Sequence, residues 1–354
     1  HRRTEAGAGG GAADAEGRAF VRGGSPLGKL QYLIRRAANM DLSGFKSAVS
    51  VVSKRCGRSK FVILCDMLGC AVKYRAGYTD YRLFEFESLT PAQRATYVTR
   101  GKNNEYVRRL NPPQYWNLLS DKTEFLRRFD GLHGRLWLDL RQAGFEEFEA
   151  FCQRNPLFVV KPLDGTCGRG IELLDASEIP DLHARYDECI QNGQLLVEQY
   201  VVQHEDYARI YPLSVNTLRL VTITRPGGQP AIVFSCIRLG NNGRRVDNLN
   251  SGGMAAIVDL EKGCISTPGA DKDGLLYSEH PFTGVTLKGA PLAFTREAAQ
   301  LVKEAALRIP ELGYVGWDVA VTPNGPILIE ANHFPGNDIY QFRVHLGPDR
   351  IGLA

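Results

Sequence analysis

The sequence predicts an α+β protein, mostly helical in its first third and built from strands and helices thereafter. Three observations predict it. Apolar residues recur at helical spacing from residue 30 to about 119, strand-like runs alternate with helical segments after about residue 145, and two apolar strands flank a Pro-Asn-Gly turn near the C-terminus. At 354 residues, 44% apolar and 23% charged, the chain is long enough for two or three packed units and is neither fibrous nor wholly disordered.

The balance of 43 Lys and Arg against 39 Asp and Glu leaves only +4, so no nucleic-acid partner is expected and any anion must be met locally. The longest apolar stretch, residues 61–72, is interrupted by Asp66 and is too short to span a bilayer; the N-terminus carries no charged start followed by an apolar run. A soluble, cytoplasmic protein is expected. The eight cysteines are scattered without a CxxC pair and read as free thiols in a reducing compartment. The opening at His1 suggests an internal start.

In chain order, residues 1–24 hold seven glycines and almost no large apolar side chain, which predicts a disordered lead. The run Gly23-Gly24-Ser25-Pro26-Leu27-Gly28-Lys29-Leu30 approaches a phosphate-binding loop. It is set aside because Leu30 stands where a hydroxyl is required and no strand precedes it. Residues 25–119 read as a helical unit, with Leu64, Met67, Leu68, Ala71 and Val72 along one helical face. Asp121, followed by Glu124, reads as the N-cap of a helix carrying Lys122, Phe125, Leu126 and Phe129. Lys122 then sits at the positive end of that helix, an unfavourable place for a cation unless an anion meets it.

Strands are expected at 158–161, 195–198, 218–223, 231–237 and 254–258. A helix over 295–307 turns Ala298, Leu301, Val302, Ala305 and Ala306 inward. The polar, glycine-ended stretch 244–253 reads as a loop that either binds an acceptor through Asn248 and Ser251 or is plain surface.

The most informative stretch runs from Val315 to Asn332. Pro323 is locked near φ −65°, which excludes a type I′ turn and favours a type I turn closed by Gly325, hence a three-residue loop with Thr322 opposite Pro326. Counting outward places Asp318 directly across from Glu330, with Asn332 one step beyond on the same face. Like charges so opposed are destabilising and call for a cation. Hard oxygen donors without sulfur or imidazole indicate magnesium or manganese, which would share its shell with phosphate.

These features together resemble the ATP-grasp superfamily, and in detail its sugar-transfer-associated group. The resemblance runs from about Leu30 to the C-terminus, and four motifs occur in the family's order. It implies two α+β subdomains gripping ATP between antiparallel sheets, here residues 120–204 and 205–354. The first motif is the lysine of Ser120-Asp121-Lys122. The second is Phe158-Val159-Val160-Lys161-Pro162. The resemblance implies phosphate contacts for Lys122 and Lys161. It makes Asp164-Gly165-Thr166-Cys167-Gly168-Arg169-Gly170 the loop that closes over ATP, with Gly165, Thr166, Gly168 and Gly170 approaching phosphate. The third motif, Leu196-Val197-Glu198-Gln199-Tyr200-Val201 with Glu205, implies that Glu198, Gln199 and Val201 face adenine and Glu205 the ribose. The fourth is the hairpin, implying Asp318, Glu330 and Asn332 as metal ligands.

One departure matters. D-alanine–D-alanine ligases carry an arginine two residues before the first metal-binding aspartate, and here that position is Gly316. Arg219, on a predicted strand, resembles the arginine that tubulin–tyrosine-ligase-like enzymes use near the γ-phosphate. It alternates with Leu218 and Leu220 and so faces away from the core they enter, with Arg238 the next candidate. The expected activity is an ATP- and magnesium-dependent carboxylate–amine ligase working through an acyl phosphate, with Arg219 and Lys161 catalytic. Its partners would be a small-molecule acid and amine, which the family's company suggests are sugar-derived. The alternatives are a kinase acting on a sugar or polyol hydroxyl and a non-catalytic nucleotide-binding partner in glycan assembly. Cys167 in the glycine loop reads either as an oxidation-sensitive thiol or as an inert one.

Overall fold

Alternation of apolar and polar side chains gives strands wherever one face can be buried, and the longest alternating runs build the larger of two sheets. The structure, a computed structural model, describes residues 41–163 and 170–353. The expected lead at 1–24 and the loop residues Gly165, Thr166, Cys167 and Gly168 lie outside those. The chain divides into two compact units, residues 1–60 and 61–354. In the first, helix Leu42–Cys56 begins at Asp41, whose side chain accepts from the Ser43 amide, and ends at Gly57, whose φ of 71° only glycine adopts readily.

The second unit opens with helices. Helix Lys60–Lys73 buries Ile63, Met67 and Cys70 and exposes Leu68 and Val72, so the expected stripe through Leu64, Leu68 and Val72 is corrected by a rotation about the helix axis. The cause is Asp66. Arg94 grips both its carboxylate oxygens at 2.8 Å and the Tyr81 hydroxyl donates to it at 2.5 Å, which turns this polar position inward. Helices Tyr78–Leu83, Pro91–Ala95 and Arg100–Leu110 follow. No helix among the described residues is long and apolar enough to cross a membrane.

Among the described residues the strands form two antiparallel sheets. The smaller contains β1 (Trp137–Asp139), β2 (Leu157–Lys161), β3 (Glu172–Asp175) and β4 (Leu196–Gln199) in the order β1-β4-β2-β3. Helices Phe145–Arg154 and Leu182–Gln191 pack on it through Phe148, Phe151 and Cys189 against Phe158, Val160 and Val197. The larger contains β5 (Thr217–Ile223), β6 (Ala231–Leu239), β7 (Met254–Asp259), β8 (Cys264–Ile265), β9 (Gly269–Asp271), β10 (Leu276–Tyr277), β11 (Tyr314–Thr322) and β12 (Gly325–Asn332). Its order is β10-β9-β7-β6-β5-β11-β12, with β8 paired to β7.

The large sheet is covered on both faces, which is why β11 is buried along almost its whole length. On one face Leu218, Leu220, Val315, Trp317 and Val319 meet helix Thr295–Leu307, which turns Ala298, Val302, Ala305 and Ala306 inward, and helix Lys122–Arg128 with Phe125. The Trp317 indole, fully buried, donates to the Thr222 hydroxyl at 2.9 Å and so meets its polar requirement. On the other face Val221, Phe234, Cys236 and Tyr314 pack with Val98, Val107 and Tyr340. The even-numbered residues of β11 and the odd-numbered residues of β5 share this second face, which puts polar side chains next to a covered surface.

Candidate functional site

Register turns that alternation into a row of charge. Glu330 on β12 pairs with Asp318 on β11, Asp318 with Arg219 on β5, and Arg219 with Cys236 on β6. Two residues along β6, Arg238 reaches the same aspartate. The Arg219 guanidinium grips Asp318 through Nε and Nη2, the latter at 2.8 Å, while Arg238 Nη1 donates to the same carboxylate at 3.0 Å. Arg238 also holds Asp247 at 2.6 Å, and Asp247 in turn accepts from the Thr217 hydroxyl. Leu218 and Leu220 lie in the core, so Arg219 does face away from it, as its alternation predicts.

The turn that leads to this row is not the one the sequence suggests. Thr322 pairs with Gly325, not Pro326, so the loop is two residues, Pro323 and Asn324. The Thr322 hydroxyl draws it tight by accepting from the Asn324 amide at 3.1 Å and donating to the Gly325 carbonyl at 2.9 Å, and Gly325 takes φ 121°. Left alone, that shorter turn would slip Asp318 out of register with Glu330. A bulge opposite the step from Asp318 to Val319 leaves Ile329 unpaired and restores the match. The bulge is held by Arg135, which donates to the Leu328 carbonyl at 2.5 Å and to the Ile329 carbonyl at 3.4 Å.

The two carboxyls of the hairpin behave oppositely. Burial alone would raise Asp318, but the Arg219 and Arg238 charges hold it well below the usual carboxylate range. Glu330 keeps an exposed edge, yet desolvation by the surrounding protein, and next the Asp318 charge, push it up to about 7. The cation that the sequence reading asked of a metal is therefore supplied to Asp318 by two arginines. Glu330 forms no ion pair among the described residues. Asn332, half-buried, stands two residues along β12, opposite Gly316. No cluster of three or more His, Cys, Asp or Glu poised for a metal occurs among the described residues. The donors present are two carboxylates and an amide, hard oxygens that fit a magnesium-type ion completing its shell with phosphate.

The small sheet presents a second charged cluster. Glu198, at the end of β4, is buried and pairs with Lys161 at the end of β2 and with Arg135 Nη2 at 3.2 Å. Burial opposes its ionisation, but the Lys161 and Arg135 charges lower it to about 2. Arg135 was not singled out by sequence reasoning. Its signal is faint, one charge just ahead of a short apolar strand, because its partners lie 63 and 193 residues away. It joins β4 of one sheet to β12 of the other.

Lys122 opens its helix beside the cap Asp121, which accepts from the Thr123 and Glu124 amides at 2.8 and 3.1 Å. Its ammonium donates to the Pro162 and Leu163 carbonyls at 2.9 and 3.2 Å, at the base of the glycine loop between β2 and β3. Carbonyl dipoles thus meet the cation at this helix end. Gly170, on the far side of that loop, has φ 72°, and a Cβ on it would stand 3.2 Å from the Pro162 ring. The Gln199 amide is committed to the Leu136 carbonyl at 2.9 Å and the Tyr200 amide to Leu157, whereas the Val201 amide makes no hydrogen bond among the described residues. Of the two residues expected to offer backbone to adenine, Val201 has its donor available and Gln199 does not. Glu205 is exposed at the first residue of helix Glu205–Ala208.

A family model described as sugar-transfer associated ATP-grasp matches residues 101–346. A comparison with curated proteins finds no match. Among solved structures, the ATP-grasp ligase PsnB complexed with minimal precursor is similar over 68% of this chain and 60% of its own, at 13% identity and a TM-score of 0.40. N5-carboxyaminoimidazole synthetase from Staphylococcus aureus complexed with ADP is similar over 62% and 46%, at 14% identity and 0.40. The D-alanine-D-alanine ligase from Coxiella burnetii is similar over 66% and 52%, at 10% identity and 0.38. The chain spans less than two-thirds of the length of each.

Proposed function

The chain belongs to the sugar-transfer associated ATP-grasp family, and on that premise we propose that it is an ATP- and magnesium-dependent carboxylate–amine ligase. The γ-phosphoryl group of ATP passes to a substrate carboxylate, leaving ADP. An amine then attacks the acyl phosphate, inorganic phosphate departs and an amide forms. Positioning and charge carry such a transfer, and no side chain needs to become a covalent nucleophile.

The observation that supports this best is the row from Glu330 through Asp318 to Arg219, with Arg238 behind it. Asp318, Glu330 and Asn332 would hold the magnesium ion, which would supply positive charge to offset that of the phosphates. Arg219 stabilises charge on the transferred phosphoryl group. A Cβ on Gly316 would come within 3.5 Å of Arg219 Nη1, so the glycine leaves this guanidinium room beside the position where the D-alanine–D-alanine ligases carry their own arginine. Lys161, fixed in place by Glu198, and Lys122, held by the Pro162 and Leu163 carbonyls, meet the phosphates. Glu198, Val201 and Glu205 line the adenosine end, and Gly165, Thr166, Gly168 and Gly170 close over the phosphates. Magnesium is the ion proposed, with manganese a substitute of the same donor preference. The acid and amine are small molecules of glycan assembly, in line with the family's description.

The test is ATP turnover with a panel of acids, with and without amines, in hydroxylamine. Hydroxamate formation that depends on the acid is the expected result. ADP accompanied by a stable phosphorylated alcohol would overturn the ligase in favour of a kinase.

A further inference from the structure

Beside the charged row lies a pocket of about 210 Å³ whose lining includes Arg219, Arg238, Asn248, Lys272, Asp338 and Tyr340. It is smaller than the roughly 300–1,000 Å³ that takes a drug-sized ligand, so its occupant is a small molecule. Its wall is built, not incidental. Asp247, clamped by Arg238 and Thr217, anchors the turn that carries Asn248, and the Asn248 carboxamide accepts from the Asn250 amide at 2.8 Å. A Cβ on Gly253 would stand 2.8 Å from the Leu239 and Asp247 carbonyls, so this turn is pressed directly onto the end of β6. Tyr340, also in the lining, is fixed by stacking on Phe234 with centroids 4.5 Å apart.

Two cationic groups in the lining have hydrogen-bonding capacity to spare. Arg219 commits Nε and Nη2 to Asp318, and its Nη1 has no hydrogen bond among the described residues. Lys272, on the turn between β9 and β10, is exposed and has no ion-pair partner among the described residues. The carboxylates that balance the arginines, Asp318 and Asp247, are buried behind them and do not line the pocket, which leaves Asp338 as the one carboxylate of the lining. A ligand thus meets guanidinium at the floor and ammonium at the rim.

We propose that this pocket is the acid-substrate site and that the acid is a small dianion, one carboxylate presented to Arg219 and a second anionic group received by Lys272. This rests on the ligase reading, which places the phosphoryl acceptor next to Arg219, and extends it by naming the class of acid and a residue that selects it. Lys272 determines specificity and takes no part in phosphoryl transfer. A monoanion of the same size fills the same space but leaves the Lys272 ammonium unmet, so its affinity is lower.

The experiment uses the whole chain and simple probes. The α,ω-dicarboxylates from malonate to adipate are titrated by calorimetry, each against its own monoamide, which has nearly the same shape with one charge fewer. ATP affinity is measured in parallel. The expected result is that at least one diacid binds tenfold or more tightly than its monoamide, and that Lys272→Gln abolishes the difference while ATP affinity stays within twofold. Equal binding of every pair, binding of neither member of any pair, or a preference that survives Lys272→Gln would overturn the proposal. Loss of ATP binding by the unaltered chain would instead sink the ligase reading, so the two failures are told apart.

Discussion

Each sheet buries one carboxylate between two cations, and the two arrangements differ in what they leave over. On the small sheet Glu198 faces Lys161 and Arg135 and makes no other ion pair among the described residues, so the cluster carries one positive charge in excess. On the large sheet Asp318 and Asp247 balance Arg219 and Arg238, and Glu330 adds a third carboxyl whose ionisation is held back, so that cluster is neutral until Glu330 ionises and then carries one negative charge in excess. A surplus cation suits a phosphate oxygen and a surplus carboxyl suits a metal ion. The two ends of a magnesium–nucleotide complex have opposite needs of this kind. Arg135, bonded to Glu198 and to the β12 carbonyls, ties one cluster to the other.

The sharpest way to break the comparison is to remove the carboxylate that both arginines share. Asp318→Asn keeps the shape but leaves two largely buried guanidiniums facing a neutral amide. Losing one partner of a buried ion pair costs on the order of 3–5 kcal/mol. Chemical denaturation of the variant should show a loss of that size. A loss under about 1 kcal/mol would mean that solvent already screens the arginines.

The small-sheet cluster predicts a pH dependence of similar origin. Glu198 is lowered from 4.5 to about 2, so its ionised form is favoured by folding. The stabilisation is present above the unfolded value near 4.5 and is lost as the pH falls through about 2; its full size is on the order of 3 kcal/mol. The acid limb of the stability profile between pH 4.5 and 2 should therefore flatten in Glu198→Gln. An unchanged limb would show that Lys161 and Arg135 do not hold this carboxylate.

Arg219→Lys sharpens the comparison on the large sheet. Charge is kept while the planar fork that spans both Asp318 oxygens is lost, so ATP affinity should hardly move and kcat should fall by on the order of a hundredfold. If ATP affinity falls with kcat intact, the residue is a ground-state ligand and the phosphoryl clamp passes to Arg238.

The strands and the helix Thr295–Leu307 were legible because their periodicity is set by burial of one face, a local property of the chain. Two features were not. The stripe on helix Lys60–Lys73 was misjudged because Asp66 is drawn inward by Arg94 from 28 residues away, and no spacing rule encodes that pull. The hairpin is subtler. Asp318 does face Glu330, but the expected three-residue turn is a two-residue turn and the lost step is returned by a bulge at Ile329. Parity counted from the wrong turn reached the observed pair only because a second irregularity, held by a distant arginine, cancelled the first. The pairing of Glu198 with Lys161 and Arg135 was likewise hidden, since each residue alone looks like an ordinary charged side chain near a strand end.

The smallest expected effect is the most discriminating. Glu330→Gln removes the surplus carboxyl of the large-sheet cluster without disturbing any ion pair, because Glu330 forms none among the described residues. It also ends the opposition of like charges directly across β11 and β12, an interaction worth about 0.2–1 kcal/mol in sheets. The ligand-free protein should therefore be as stable as the parent or more stable by up to about 1 kcal/mol, the reverse of Asp318→Asn on the neighbouring strand. Magnesium-dependent ATP turnover should nonetheless disappear, since a neutral amide is a poorer ligand for a hard dication than a carboxylate. The two measurements are made on the same preparation, by denaturation without metal and by ADP release across a magnesium titration. A variant that gains stability and keeps its magnesium response would show that Glu330 is not a metal ligand. One that loses stability by several kcal/mol would show that Glu330 is a structural partner of Arg238, and that the negative surplus separating the two clusters does not exist.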